Sequence, residues 1–326
     1  MDPIRTETLM PNEAGRQRAV EIWRRGGLVA FPTETVYGLG ADATNDAAVR
    51  RIFTAKGRPA FNPLIIHVAD LATAEHYAIF GDQARVLAET FWPGPLSLVL
   101  PLRRDNRLSP LVSAGRHSIA VRVPETPLAG ALLRRFGGAI AAPSANPSGQ
   151  ISPTSAAHVL AGLNQQIEAV IDGGPCAIGV ESTIVQPAIP ALLRPGGLPE
   201  KVIEAALGQT LQHPPQEPQP SAPGQMTSHY APHLPVLLDV TAPAETELWL
   251  GFGPDCAGAA LNLSRRGDLH EAAANLFEYL HRLDAMAQSG RVNSIAVAPI
   301  PRTGLGRAIN DRLTRAAAPR TGEHGH

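Results

Sequence analysis

Cysteine is nearly absent from this chain: Cys176 and Cys256 are the only two among 326 residues. They lie far apart and have no partners at metal-ligand spacing. That excludes a disulfide scaffold or a zinc-ribbon module and leaves two reduced, packed thiols. Aromatic residues make up 5%, too few for a platform on which successive bases stack. Charged residues are also scarce, at 17%, and nearly cancel to a net −1. This argues against a broad basic footprint for nucleic acid or an anionic membrane, though a local cationic patch is compatible with it. No apolar run approaches the roughly 20 residues of a membrane span. The start, Met1-Asp2-Pro3-Ile4-Arg5, lacks the apolar core of a signal segment. The expectation is a soluble, cytoplasmic protein without a membrane partner.

What the chain does have is 44% hydrophobic residues, with 30 glycines and 31 prolines. That content fills ordinary globular cores, and the length suggests about two domains. Residues 1–208 read as one domain of mixed α and β structure, with helices over 13–25, 71–79, 82–91, 127–136, 154–163 and 199–207. Between them, short apolar runs such as Leu96 to Leu102 and Ser118 to Pro124 read as strands, and polar residues 103–116 as a surface loop. The proline-rich run from His213 to Gly224 cannot build a core, so residues 209–234 read as an extended linker. Residues 235–326 form a second unit, in which strands at 236–240, 247–252, 259–263 and 294–300 alternate with helices at 268–287 and 306–317. That alternation predicts a small parallel α/β sheet.

The most informative stretch is 26–68. A glycine pair leads into the buried strand Leu28 to Phe31, which Pro32 ends, and Thr33-Glu34-Thr35 follow at once. Asn45 or Asp46 caps a helix carrying Val49, Ile52 and Phe53 on one face, and Gly57 and Pro59 stop it. Two cations, Lys56 and Arg58, are thereby fixed at a helix exit. A Lys-x-Arg pair is usually a solvated surface pair. Held between glycine and proline in a chain with few charges, this one reads as an anion site. The next strand ends on His67. A second cluster, Ala139-Ile140-Ala141-Ala142-Pro143-Ser144-Ala145-Asn146, is a small-residue strand running into a polar turn.

Lys56-x-Arg58 with Ser144-x-Asn146, together with Pro32-Thr33-Glu34-Thr35-Val36-Tyr37-Gly38-Leu39, resembles the YrdC-like domain family, whose longer members are L-threonylcarbamoyladenylate synthases. The resemblance continues through Gly179-Val180-Glu181-Ser182-Thr183, Leu193-Arg194-Pro195-Gly196, Ser228-His229-Tyr230-Ala231-Pro232 and Gly304-Leu305-Gly306-Arg307. It implies a twisted mixed sheet around a concave, positive cavity, followed by a smaller Rossmann-like parallel α/β domain. It also implies a reaction: L-threonine, bicarbonate or CO₂, and ATP give threonylcarbamoyl-AMP and pyrophosphate. The product would pass to a separate tRNA threonylcarbamoyl transferase, for modification beside the anticodon; direct contact with tRNA is left open.

Such a step is mostly positioning and charge neutralisation. Lys56 and Arg58 are the first candidates for the phosphates, a point charge beside a fork that grips two oxygens. Ser144, Asn146, Arg194 and Tyr230 join them on the nucleotide, with Ser118 and Ser152 carried over from matching positions. For threonine, Arg122 is the natural carboxylate partner, with Thr33, His67, Ser182 and the backbone of Ala142 completing the pocket. Glu34 reads as a structural partner of Lys56 or Arg58. The sequence holds no metal-ligand cluster, so Mg²⁺ is expected to arrive on ATP, held mainly by phosphates. The segment from Met226 to His233 is expected to fold over the cavity as a lid. Two other readings are a carbamoyl-transfer enzyme of hydrogenase maturation, whose zinc modules two cysteines cannot supply, and an RNA-binding module using the same basic cavity.

Overall fold

Ten short strands build the first sheet: β1 (Glu7–Leu9), β2 (Val29–Pro32), β3 (Tyr37–Asp42), β4 (Ile65–His67), β5 (Leu96–Pro101), β6 (Ser118–Arg122), β7 (Ile140–Ala141), β8 (Ala169–Ile171), β9 (Thr183–Gln186) and β10 (Ala191–Arg194). The computed structural model describes residues 5–215, 223–224, 226, 228–287 and 292–319. The spatial order is β1-β8-β2-β3-β7-β4-β6-β5-β9-β10, with parallel and antiparallel neighbours mixed. Most of these strands are buried on both faces, so they read as continuous apolar runs rather than alternating ones.

Around the sheet lie α1 (Glu13–Arg24), α2 (Asp46–Lys56), α3 (Leu71–Ala74), α4 (Asp82–Phe91), α5 (Pro110–Ser113), α6 (Pro127–Phe136), α7 (Ala156–Leu163) and α8 (Glu200–Leu207). Their starts follow from local chemistry. Asn12, Asn45, Thr126 and Ser155 each accept a backbone N–H from the first turn of their helices. Gly57 ends α2 in the left-handed conformation, at φ 59°, which glycine adopts without a Cβ penalty.

The second unit is a parallel sheet in the order β11-β14-β12-β13, with β11 (Val236–Leu237), β12 (Glu247–Gly251), β13 (Leu261–Asn262) and β14 (Ser294–Val297). Helices α9 (Leu269–Ala287) and α10 (Leu305–Ala317) pack on it. The two units share one apolar cluster, in which Val36, Ile151 and Val180 meet Leu276, Phe277 and Leu313. Gly179 makes the approach possible. A Cβ there would lie 2.4 Å from the Ala273 carbonyl oxygen, and its φ is +77°.

Three expectations change. Residues 103–116 are not all surface loop: Ser109 caps α5, and Val112 is fully buried under the backbone of Leu64. The helix expected over 71–79 closes after α3, because Ala78 turns to bridge Leu102. The linker expected from 209 begins later, since Leu211 is buried and Gln212 pairs with the β10 edge. Residues 216–222 of the proline-rich run lie outside the described residues.

Candidate active site

The strand ends converge on one cavity. The parallel register of β4 and β6 sets His67 beside Arg122, with strands about 4.8 Å apart. The β2–β3 hairpin carries Thr33 to Val36 at its tip, and the Thr33 hydroxyl donates to the Val36 carbonyl at 2.8 Å. Chain leaving β7 brings in Ala142 to Ser144, and Ser144 bridges Gly38. Ser182 precedes β9, and Arg194 ends β10. The turn after Arg194 crosses the backbone of Glu181 to Thr183 so closely that a Cβ on Gly196 would sit 2.4 Å from three of its atoms. Among the described residues, Thr33, Thr35, Arg58, His67, Arg122, Ser144, Glu181, Ser182, Arg194, His229 and Tyr230 all line the cavity.

Its electrostatics are cationic. Arg58 is buried, its Nε and Nη2 donating to the carbonyls of Asn62 and Pro63, and burial lowers its pKa to about 9. Arg194 donates to the Ser182 carbonyl at 3.1 and 2.8 Å and to the Pro223 carbonyl, and burial brings it to about 10. Arg122 spends its Nη2 on Glu34 at 2.5 Å, its Nη1 on Thr35 at 2.9 Å and its Nε on the Gly94 carbonyl. Burial, reinforced by Arg122, pushes the His67 imidazole down to about 3, so that ring is neutral. Two residues that line the cavity each keep a buried nitrogen with no hydrogen-bond partner among the described residues, His67 Nδ1 and His229 Nδ1, and nearby Asn62 Oδ1 and Asn146 Oδ1 are also unpartnered among them. Buried polar groups are ordinarily satisfied, so the two histidine nitrogens in the cavity wall suit it to a polar ligand.

The expected residues do not all face the cavity. Lys56 lies behind it. Its ammonium donates to the backbone carbonyls of Ser144 and Asn146, and burial lowers its pKa well below the ordinary lysine range. Lys56 thus holds the Ser144–Asn146 turn. Asn146 bonds its own loop at Pro147 and Gln150 and borders a neighbouring cavity. Ser152 donates to Glu181 at 2.6 Å. Ser118 lies four residues before Arg122 on the same strand face, about 13 Å away at strand spacing, and does not line the cavity. The Ala142 N–H is taken by the Ile65 carbonyl, leaving only its carbonyl for a ligand. Glu34 pairs with Arg122 rather than with Lys56 or Arg58.

A strap from the chain between the two sheets roofs the cavity. Pro223, Gly224, His229 and Tyr230 border it, while Met226, Ser228 and Ala231 border the neighbouring cavity of about 590 Å³. The strap is tied on both sides. The Ala231 N–H donates to Gly149, the His229 N–H to Arg315, and Arg315 Nη1 to Met226. Tyr230 has φ +64° and stacks on Phe277 at 5.4 Å.

Sequence reasoning missed Thr35, Asn62, Glu181, His229 and Arg312. Thr35, Glu181 and His229 sit in the motifs quoted above, but a carboxylate is not an expected neighbour of phosphates. Arg312 does leave a signal. It falls in the apolar stripe of α10, among Leu305, Ile309 and Ala316, where an arginine is out of place.

A mixed sheet enclosing an arginine-lined cavity, roofed by a strap that leads into a second parallel α/β domain, defines a two-domain YrdC-like protein. Residues 21–196 match the Sua5–YciO–YrdC family model, described as "Telomere recombination", and residues 198–318 match "Threonylcarbamoyl-AMP synthase, C-terminal domain". The chain belongs to the threonylcarbamoyl-AMP synthase family. It is 40% identical to the threonylcarbamoyl-AMP synthase of Bacillus subtilis over 340 residues, covering 97% of this chain and 96% of that one. It is 42% identical to the synthase of Pyrococcus abyssi, covering 91% and 92%. The crystal structure of P. abyssi Sua5 complexed with L-threonine superposes with a TM-score of 0.88 at 38% identity, covering 96% of this chain and 98% of that one.

Proposed function

We propose that this cavity joins L-threonine, bicarbonate and ATP into threonylcarbamoyl-AMP with release of pyrophosphate. The observation that carries the reading is the convergence of three buried arginines, Arg58, Arg122 and Arg194, on one cavity beside a neutral histidine and two threonines. Three fixed cations in a water-poor space suit an anionic nucleotide next to an amino acid carboxylate.

The chemistry divides between the two sides. Bicarbonate takes up a proton and loses water to give CO₂; the neutral threonine amine adds to it and sheds a proton to solvent, forming a carbamate, and a carbamate oxygen then attacks the α-phosphorus as the bond to pyrophosphate breaks. On the threonine side, Arg122 has N–H groups beyond the three it spends, and these receive the carboxylate. Thr33, Thr35 and the unpartnered His67 Nδ1 serve the hydroxyl and amine. On the nucleotide side, Arg58 and Arg194 face the phosphates, while Lys56 keeps the Ser144–Asn146 turn in place. Glu181 in the cavity wall is already engaged by Arg312 and Ser152, and Glu34 behind it by Arg122. The donor set therefore suits Mg²⁺ held by the phosphates of ATP, where the ion would neutralise part of their charge.

The strap acts as the lid. With it in place the free volume is about 40 Å³, room for a few waters and far short of ATP. Nucleotide entry thus requires Pro223–Gly224 and His229–Tyr230 to move, and their return excludes water from a carbamate that decays when free. The product is an activated acyl-adenylate, a substrate for a separate transferase acting on tRNA.

The test is pyrophosphate release by the purified protein, with threonine or bicarbonate omitted in turn. Release that needs both supports the reading. Release from ATP alone, or salt-sensitive tRNA binding without turnover, contradicts it.

A further inference from the structure

Among the described residues, Arg312 is the most deeply buried charge of the second domain, at 0% exposure. It stands on α10, yet its partners are groups of the active site. Its Nε donates to Glu181 Oε2 at 2.7 Å, across the boundary between the two sheets. Its guanidinium lies over the Tyr230 ring, 5.3 Å from the centroid. Its Nη1 bonds Asp311 at 2.6 Å, and Nη2 has no partner among the described residues. Glu181 in turn accepts the Ser152 hydroxyl and lines the cavity beside Ser182 and Arg194. One turn further along α10, Arg315 holds the Met226 carbonyl of the strap.

Such an arrangement is costly as a mere fastener. A buried ion pair gives little net stability against a well-packed apolar pair, but removing one partner leaves an uncompensated charge. An aliphatic side chain at this point of the α10 stripe would dock the domains as well. What an arginine adds is a planar cation that grips a first-domain carboxylate and the ring of the strap together.

We propose that Arg312 is a positioning residue for the reaction in the first domain. It fixes Glu181 and Tyr230 relative to each other, so that the strap recloses over the nucleotide in one geometry. The second domain then completes the active site through this side chain. The effect falls on the nucleotide side: Glu181 and Tyr230 adjoin Arg194, while Arg122 and His67 lie on the threonine side. The proposal rests on the reading that the cavity takes ATP.

The test uses the full chain and the variants Arg312→Met, Arg312→Lys, Glu181→Gln and Arg312→Met with Glu181→Gln. Hydrogen exchange at the His229 and Ala231 amides needs no catalysis. It is expected to quicken at least tenfold in Arg312→Met, with the rest of α10 unchanged. In kinetics, KM for ATP is expected to rise about tenfold or more in Arg312→Met and Arg312→Lys, with KM for threonine within about twofold. A pH profile adds a readout that simple loosening would not move. Arg312 and Arg194 now outweigh the burial that raises Glu181 and hold it at about 2. The other titratable groups facing Glu181 are His229 and Tyr230. Without Arg312, burial dominates and Glu181 protonates at higher pH, so Arg312→Met acquires an acid limb that the double variant loses.

Unchanged strap exchange in a folded Arg312→Met overturns the proposal, as do equal rises in both KM values. If Arg312→Met does not fold, Arg312→Lys decides by the same two readouts. If the wild type makes no adenylate, the functional reading fails, and strap exchange still judges Arg312.

Discussion

Replacing Glu34 with glutamine tests how the threonine side is built. Glu34 uses both carboxylate oxygens: Oε1 accepts from Arg122 Nη2 at 2.5 Å, and Oε2 accepts from the Glu125 N–H at 3.1 Å. Glutamine offers one acceptor and one donor in the same shape. Whichever way its amide turns, an NH₂ group faces another donor. The variant also leaves Arg122, 3% exposed, without its counter-charge. Breaking a buried pair from one side costs about 3–5 kcal/mol. In urea denaturation the variant is expected to lose stability of that order. Pairing it with Arg122→Met is expected to recover more than half, giving a coupling energy above about 1.5 kcal/mol. Threonine supplies a carboxylate to the same guanidinium, so saturating threonine is expected to raise the melting temperature of Glu34→Gln more than that of the wild type. A Glu34→Gln protein within about 1 kcal/mol of wild type, with no coupling to Arg122, refutes this account of the pocket.

Arg58→Met removes a preorganised donor from the nucleotide side and is expected to lower kcat/KM for ATP by about 10²–10³. Arg58→Lys keeps the charge without the fork and is expected to fall between, and steady-state kinetics checks both. Acid sensitivity follows from the buried histidines: burial holds His67 and His229 at about 3, against an ordinary 6.5. The unfolded chain binds more protons than the folded one between those values, so stability is intact above 6.5 and is lost as pH falls toward 3. At pH 5 the loss is about 2 kcal/mol per histidine, at 1.36 kcal/mol per pH unit. Urea midpoints at pH 7 and pH 5 should show it, and His67→Asn should shrink the difference. Gly196→Ala is expected to abolish soluble folded protein, because the displaced atoms belong to the Glu181–Thr183 backbone; a normal circular dichroism spectrum and melting temperature would count against the tight crossing.

Much of this architecture is legible in the amino-acid sequence. Asn45, Gly57 and Pro127 set helix ends by local chemistry, and α2, α6, β5 and β6 fall where capping and apolar runs place them. The proline-rich run marks the passage between the sheets. What local pattern does not carry is direction. Lys56 and Arg58 are two residues apart, but the left-handed Gly57 between them turns one toward the Ser144 carbonyl and the other toward the cavity. Glu34 has three cations to choose from, and sheet register decides for Arg122. The Glu181–Arg312 pair spans 131 positions, a separation that no local pattern encodes.

The proposed reaction joins threonine, a one-carbon unit and adenylate in one arginine-lined cavity. The most direct measurement is to incubate the purified chain with ATP, L-threonine and ¹⁴C-bicarbonate and to identify the labelled nucleotide by mass. A single labelled species containing threonine and AMP is expected, formed with equimolar pyrophosphate. AMP or pyrophosphate formed without threonine, or label absent from every nucleotide, would contradict it.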